Sequence, residues 1–438
     1  MPDGDSARRT IDAQTARPSG SSIETSIAAV WRIEAPRLIA GLARMTRDVG
    51  RAEDLAQDAL VAALETWPRA GVPENPGAWL MTTAKRRAID GFRRAATFER
   101  KREELAFAVG LELAASRPPS LDGGSDDEDL LALMFTCCHP VLGLEARVAL
   151  TLRMLGGLTT DEIARAHLTS TSAVQQRVVR AKRTLAASGV GFRIPDGDEL
   201  PERMRSVLEV VYLIFNEGYS ATAGDDWLRP DLCFDALRLA RTLAALAPRE
   251  VEAHGLLSLL AIQASRIGAR TGPDGTPILL LDQDRSKWNR LLITNGLASL
   301  DRALALDAPA GPYTLQAAIA ACHARAARAQ DTDWVKIAAL YEALGTIAPS
   351  PVLEVNRAVA IGFAFGPEAG LAVLDAALEG GVLAGYHLAF SVRADLLSKV
   401  PGRAREARDE LARAARLTRN ERERTLLLAR AAALAGDD

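Results

Sequence analysis

DEIARAHLTSTSAVQQRVVRAKRTL, residues 161–185, starts as an amphipathic helix, breaks at a Thr/Ser-rich joint and resumes as a strongly basic helix. At about 100° per residue, Val178, Ala181 and Leu185 fall within about 40° of Val174 and form one apolar face. The opposite face carries Ser172, Gln176 and Arg183, flanked by Val179 and Arg180. A helix meant only for solvent has no use for an outward Val179. A helix in a major groove can set it against a thymine methyl and turn Gln and Arg to adenine and guanine edges. The upstream helix opens at LTTDEI, with Thr159 or Thr160 as N-cap and Glu162 in the first turn. Two short helices about a tight joint predict a helix-turn-helix; the competing reading is a plain helical hairpin with a solvated Arg-rich face.

The rest of the chain frames this element. With 438 residues, two to four domains are expected. Apolar residues make up 48% and aromatics only 5%, an Ala- and Leu-rich profile that favours helices over sheets. The net charge of −3 hides local asymmetry: KRRAIDGFRRAATFERKR (85–102) is basic and DGGSDDED (122–129) acidic, so partners follow from segments, not from the total. Four Cys, two of them adjacent, give no disulfide framework and fit a reducing cytoplasm. The first 22 residues lack an apolar core of signal-peptide type and read as a disordered tail, and no run is long enough to span a bilayer.

Residues 23–97 give several helical periods, punctuated by Pro36, Pro68, Pro73 and Pro76. In AEDLAQDALVAALETWP (52–68), Leu55, Ala59, Ala62 and Ala63 form an apolar face opposite Glu53, Asp54, Gln57 and Asp58. In PGAWLMTTAKRRAIDGFRR (76–94), Trp79, Leu80, Ala84, Ala88 and Phe92 leave Lys85, Arg86, Arg87, Arg93 and Arg94 outward. Residues 98–128 read as a flexible acidic linker, 129–190 as a second helical unit, and 191–203 as another linker. From 204 to 438 the pattern is again all helical. Only RTGPDGTPILLLDQDRSKW (270–288) departs from it, as a turn and a short extended piece. The stretches 356–378 and 392–414 both run helix, Gly-containing turn, helix, as in a degenerate tetratricopeptide-like solenoid.

Together with LEARVALTLRMLGGLTT leading into the opening stretch, AEDLAQDALVAALETWP and PGAWLMTTAKRRAIDGFRR stand in the order and spacing of extracytoplasmic-function (ECF) sigma factors. The chain resembles that family over about residues 24–188: the first two stretches resemble sigma region 2, the third region 4, and no region 3 fits in the linker. Beyond it, FTCCHP, RMRSVLEVVYLIFNEGYSA, LLLDQDRSKWNRLLI and DTDWVKIAALYEALGTIAPSPVLEVNRAV resemble the ECF group with a long C-terminal tetratricopeptide-like extension.

The resemblance implies an all-α promoter-specificity subunit of RNA polymerase, not an enzyme, working in the cytoplasm without a cofactor. It implies that Asp54, Gln57 and Asp58 dock on the polymerase beta-prime clamp, where carboxylates can pair with Arg. Region 4 would contact the beta flap. Trp79, Lys85, Arg86, Arg87, Arg93 and Arg94 would engage the −10 element as it melts, by neutralising phosphate and receiving an unstacked base. For Trp79 a place in the core is the equal alternative. Thr171, Ser172, Gln175, Gln176, Arg180, Lys182 and Arg183 would read and hold the −35 element. The joint AHLTSTS lacks the Gly common in this turn, which leaves the angle between the two helices open. Asp122 and Asp126–Asp129 would either imitate RNA in the exit channel or merely solubilise. The extension would act in cis in place of an anti-sigma factor and could carry a signalling protein. Two other readings stand beside this one, a stand-alone helix-turn-helix regulator and a tetratricopeptide-like scaffold or ligand-binding protein.

The remaining constellations carry no chemistry. In CCHP (137–140) the adjacent Cys and His do not converge on one ion, and Cys233 and Cys322 lack ligand spacing, so core thiols before a helix break are expected and no metal. His167, His254, His323 and His387 are isolated on apolar segments. In FNEGY, Glu217 beside Tyr219 could line a pocket, but a Gly218 C-cap is the simpler account. There is no P-loop, Rossmann glycine pattern or nucleophile elbow.

Overall fold

The computed structural model describes residues 20–89, 126–167, 169–219, 228–273, 276–418 and 421–434, and among them it is all-α, with one isolated antiparallel bridge between Thr271 and Pro277. It divides into two compact units at Gly123/Gly124. The first contains α1 (Gly20–Thr46), α2 (Val49–Ala70) and α3 (76–89). On α2 the packed seam is Val49, Ala52, Ala56, Ala59, Ala63 and Trp67, one step off the expected face: Leu55 and Ala62 are only half-buried, and Glu53, expected outward, is buried. Small Ala side chains let α1 and α2 approach closely, which draws the Glu53 stem in as well. Leu80, Ala84 and Ala88 are buried as expected.

Pro36 and Pro68 do not break helices: Pro36 lies inside α1, where burial of the flanking turns outweighs one lost backbone hydrogen bond, and Pro68 lies in the last turn of α2, two residues before its end. Pro73 and Pro76 do punctuate. Gly71 ends α2 at φ +85°, and Asn75 caps α3 by accepting from Ala78 N at 3.0 Å, with Pro76 at the first helical position.

The second unit opens with α4 (Asp126–Cys137), α5 (Leu144–Met154), α6 (Thr160–Ala166) and α7 (Thr171–Ala187). Asp126–Glu128, expected in the linker, form with Asp129 the first turn of α4, where carboxylates suit the helix dipole. Every residue of α4 from Asp129 to Cys137 is buried. Its cover comes from α5 and from α8 (Glu199–Tyr219) and α9 (Pro230–Leu246), which begin the extension. α10 (Val251–Ala264), α11 (Arg290–Ala305), α12 (Pro312–Arg325), α13 (Trp334–Ile347), α14 (Pro351–Phe365), α15 (Pro367–Glu379), α16 (His387–Leu397), α17 (Ala404–Leu417) and α18 (Glu421–Ala433) follow. Helices pack on their chain neighbours, and α8 on α10, α10 on α12 and α14 on α16 also touch, which is the arrangement of stacked helical hairpins. The segment before α11 carries the Thr271–Pro277 bridge, turns over 280–283 and a short 3-10 helix at Arg285–Lys287, and Trp288 anchors it in the core.

Gly218 is not a C-cap. It sits inside α8, where a Cβ would lie 2.8 Å from Arg229 O, Cys233 N and Leu232 Cβ, so its role is the close approach of α9. The four Cys are buried thiols; that of Cys138 lies 3.4 Å from Thr151 Oγ1, and burial raises its pKa to about 11.

Candidate nucleic-acid interface

The helix-turn-helix is built by its caps. Thr159 Oγ1 accepts from Glu162 N at 3.1 Å while the Glu162 carboxylate accepts from Thr159 N at 2.7 Å, a capping box that fixes the start of α6. Ser170 caps α7 by accepting from Ala173 N at 3.2 Å. Thr171 donates to Asp161 at 3.0 Å, tying the start of α7 to the start of α6, and Asp161 also pairs with Arg165. Val174, Val178, Ala181 and Leu185 are buried, as the helical wheel required.

The other face of α7 exposes Ser172, Gln175, Gln176, Val179, Arg180 and Arg183, with Thr171 and Lys182 half-buried. Val179 is 43% exposed, a β-branched apolar side chain held outward among polar ones. Arg180 and Arg183 form no ion pair among the described residues, whereas Arg177, on the flank, is bound to Glu145 of α5 at 2.6 Å. α7 therefore separates one structural Arg from two available cations, with Gln176 about one turn before Arg180 on the outward face.

The joint lacks glycine, and the extension supplies what stabilises it. His167 closes α6 at φ −110°, Thr169 N donates to Ala164 O at 3.0 Å, and Arg229, the residue before α9, donates to Ala166 O, the last carbonyl of α6. Glu217 of α8 pairs with the same guanidinium. The pattern recurs. Arg203 donates to Phe135 O at the end of α4 at 2.7 Å, and Arg238 donates to Leu155 O and Gly156 O beyond α5 at 3.2 and 3.0 Å. Three helices that precede the recognition helix thus each end on an Arg of the extension, where orphan carbonyls and the negative helix terminus favour a cation. Arg147 of α5 returns the contact, donating to Ser206 at 2.6 Å and pairing with Glu209 at 3.1 Å. Sequence reasoning missed this seam; its visible signal was the Arg residues within and just before the apolar helices α8 and α9.

In the first unit Asp54 and Asp58 are exposed and Gln57 half-buried on α2, while Lys85 and Arg86 are exposed on α3. Arg87 is half-buried and pairs with Asp58 at 3.5 Å, so a residue expected to face polymerase and one expected to face DNA meet each other. Trp79 is half-buried, edge-on to buried Trp67 with centroids 5.4 Å apart, between the two readings offered for it. Arg93, Arg94, Phe92 and Asp122 lie outside the described residues.

A helical unit with a Lys/Arg-bearing helix and a second with an Arg- and Gln-faced helix-turn-helix define a nucleic-acid-binding class of protein. Residues 31–98 match Sigma-70 region 2, 132–185 match Sigma-70 region 4, and 203–304 match a family of unknown function, DUF6596. The chain is 42% identical over 388 residues to uncharacterized protein R00370 of Rhizobium meliloti (strain 1021), covering 89% of this chain and 91% of that one. It is 30% identical over 169 residues to the probable ECF RNA polymerase sigma factor SigI of Mycobacterium tuberculosis, in strains CDC 1551 and H37Rv, covering 38% of this chain and 57% of that protein. The chain belongs to the sigma-70 family, with the extracytoplasmic-function sigma factors. That family consists of transcription initiation factors that are not themselves enzymes.

Proposed function

We propose that this chain directs RNA polymerase to its promoters as an ECF-type sigma factor and that the helical extension controls it in cis. The observation that carries the reading is α7: an outward row of Gln175, Gln176, Val179, Arg180 and Arg183 over a fully buried apolar seam, in a chain that also carries region 2. On this reading Gln175 and Gln176, with Thr171 and Ser172 near the helix start, contact bases of the −35 element, and Arg180, Lys182 and Arg183 hold phosphates. Lys85, Arg86 and Arg87, continued by Arg93 and Arg94, neutralise the strand that separates at the −10 element, and Trp79 stacks on or borders an unstacked base. Asp54, Gln57 and Asp58 engage the beta-prime clamp and region 4 the beta flap, which places the protein's work in the cytoplasm. Among the described residues no helix is long and apolar enough to cross a membrane.

Core-dependent run-off transcription tests the proposal. Promoter-specific transcripts that require both core enzyme and this chain support it. Duplex binding that is independent of core supports a stand-alone regulator, and full function of an Arg180→Ala, Arg183→Ala double variant supports a scaffold. For the extension, ending the chain after about residue 200 changes promoter activity severalfold or abolishes it; equal activity of both forms removes the claim of control in cis. A surface of stacked hairpins is also suited to a signalling protein as partner.

A further inference from the structure

Between α10, α12, α13 and α14 the extension forms a cavity of about 500 Å3 that opens to solvent, within the size range of small-molecule sites. Its walls are mixed. Ile319, Leu353 and Tyr341 give an apolar, aromatic side, and Gln316 and Asn356 bring amides to it. Arg266 is the single charged side chain among the described residues that line it. No carboxylate pairs with that guanidinium among the described residues: Nη2 is held by the neutral Gln263 amide oxygen, and the buried Nε has no acceptor.

His323 supplies a second, independent sign. It lines the same cavity, is 9% exposed, and its buried Nδ1 has no hydrogen-bond partner. Burial, with Arg266 and Arg285 nearby, lowers its pKa to about 4, so the ring is neutral at ordinary pH and adds no charge of its own. Arg285 lies behind it, donating to His323 O and to Ala326 O at 2.7 Å. Arg266 Nε and His323 Nδ1 are thus left unsatisfied beside one wall; Asp331 acts on Arg285 behind it, but no carboxylate lines the cavity among the described residues. The unpartnered Arg266 Nε–H and a cation without a counter-charge each cost free energy that an anionic ligand recovers, and a neutral His323 ring offers a further polar contact in whichever tautomer it holds.

We infer that this cavity binds a small organic anion, an apolar or aromatic body bearing one carboxylate, sulfonate or phosphate that pairs with Arg266. Tyr212, also on the wall and hydrogen-bonded to Gln316 at 3.2 Å, belongs to α8. One and two turns earlier on that helix, Glu209 and Ser206 hold Arg147 of the helix-turn-helix unit. Occupancy of the cavity therefore bears on the helix that grips region 4. That consequence for transcription rests on the sigma reading; binding itself does not.

The test uses the full chain and 8-anilinonaphthalene-1-sulfonate, an aromatic anion that fluoresces on entering an apolar site, with neutral N-phenyl-1-naphthylamine as its uncharged counterpart. Saturable one-to-one binding of the anion is expected. Arg266→Gln should weaken the anion about tenfold or more, the loss of one charge-assisted contact, and leave the neutral probe within about twofold. Asn356→Trp, at an exposed lip position that needs no refolding of the core, should block both probes. Competition by benzoate and by inorganic phosphate then separates a carboxylate from a phosphate preference. The inference is overturned if the anion does not bind saturably, if Arg266→Gln and the remote Arg405→Gln weaken it equally, or if Asn356→Trp leaves it unchanged while helical circular dichroism shows every variant folded.

Discussion

Replacing Arg229 by Met removes the guanidinium from the helix-turn-helix joint while keeping the length of the side chain. Arg229 and Glu217 have side-chain exposures of 14% and 22%, so their contact is only partly screened by water. The donation to Ala166 O and the pair with Glu217 are both lost. A hydrogen bond involving a charged group contributes about 1.5–3 kcal/mol, and water can replace part of it at a helix end. A net local cost of about 2 kcal/mol follows, which raises the population of an opened joint roughly thirtyfold. Native-state hydrogen exchange of the full chain reads this directly: amides of α6 and the first turn of α7 should exchange roughly thirtyfold faster in Arg229→Met. Those of α14–α18, which do not touch this seam, should be unchanged. Arg229→Lys should fall between, because an ammonium supplies the charge but not the forked donor geometry. Unchanged exchange at the joint in Arg229→Met refutes the reasoning, and so does acceleration spread evenly over the whole second unit.

The remaining predictions address the two proposed surfaces and one buried ring. Gln175→Ala or Gln176→Ala should cost about 1–3 kcal/mol on the cognate −35 duplex and relax base preference at one position, whereas Arg183→Ala should weaken all sequences alike and reduce the salt slope by about one, both read by fluorescence anisotropy with holoenzyme. Asp58→Ala breaks an exposed pair with Arg87, so stability should change by no more than about 1 kcal/mol while affinity for core enzyme, measured by surface-immobilised core, falls severalfold. His323 binds fewer protons folded than unfolded as pH drops, because its folded pKa is lowered from 6.5 to about 4. Stability is therefore fully present above pH 6.5 and is lost as pH falls from there towards 4, by about 3 kcal/mol at most. His323→Phe should flatten that slope in urea titrations of the full chain, and an unchanged slope rejects the assignment.

Much of this fold is legible in the sequence where helical period and caps agree. Val174, Val178, Ala181 and Leu185 fix the buried face of α7, and the start of α6 is legible to within one residue, Thr159 or Thr160, with the capping box to Glu162 deciding for Thr159. The α2 face was displaced because Ala counts weakly in any pattern: Ala52, Ala56 and Ala59 pack because they are small, not because they are strongly apolar. Pro36, inside the buried middle of α1 and not a break, shows tertiary burial overriding a local rule. Least legible is the seam between Arg203, Arg229 or Arg238 and the helix ends of region 4. A guanidinium that meets a backbone carbonyl tens of residues away leaves no periodic trace, since any residue supplies the carbonyl.

The same seam bears on what loss of the extension means. LLALMFTC, the body of α4, is buried on all sides, and a helix apolar all round requires cover on all sides. Within region 4 only α5 gives it substantial contact; the rest comes from α8 and α9. Exposing even two of its large side chains costs about 3–6 kcal/mol, comparable with the whole stability of a small domain. A chain ended near residue 200 thus loses a wall of the helix-turn-helix unit together with three cations at its helix ends. Its inactivity alone does not distinguish a regulator from a missing half of the fold. Arg229 makes that distinction, because its removal leaves the apolar cover of α4 in place and acts on the joint that sets the angle of α7. If control in cis passes through this seam, promoter discrimination at the −35 element should shift in Arg229 variants whose unfolding is otherwise ordinary, and the extension then acts by orienting the reading helix rather than by shielding it.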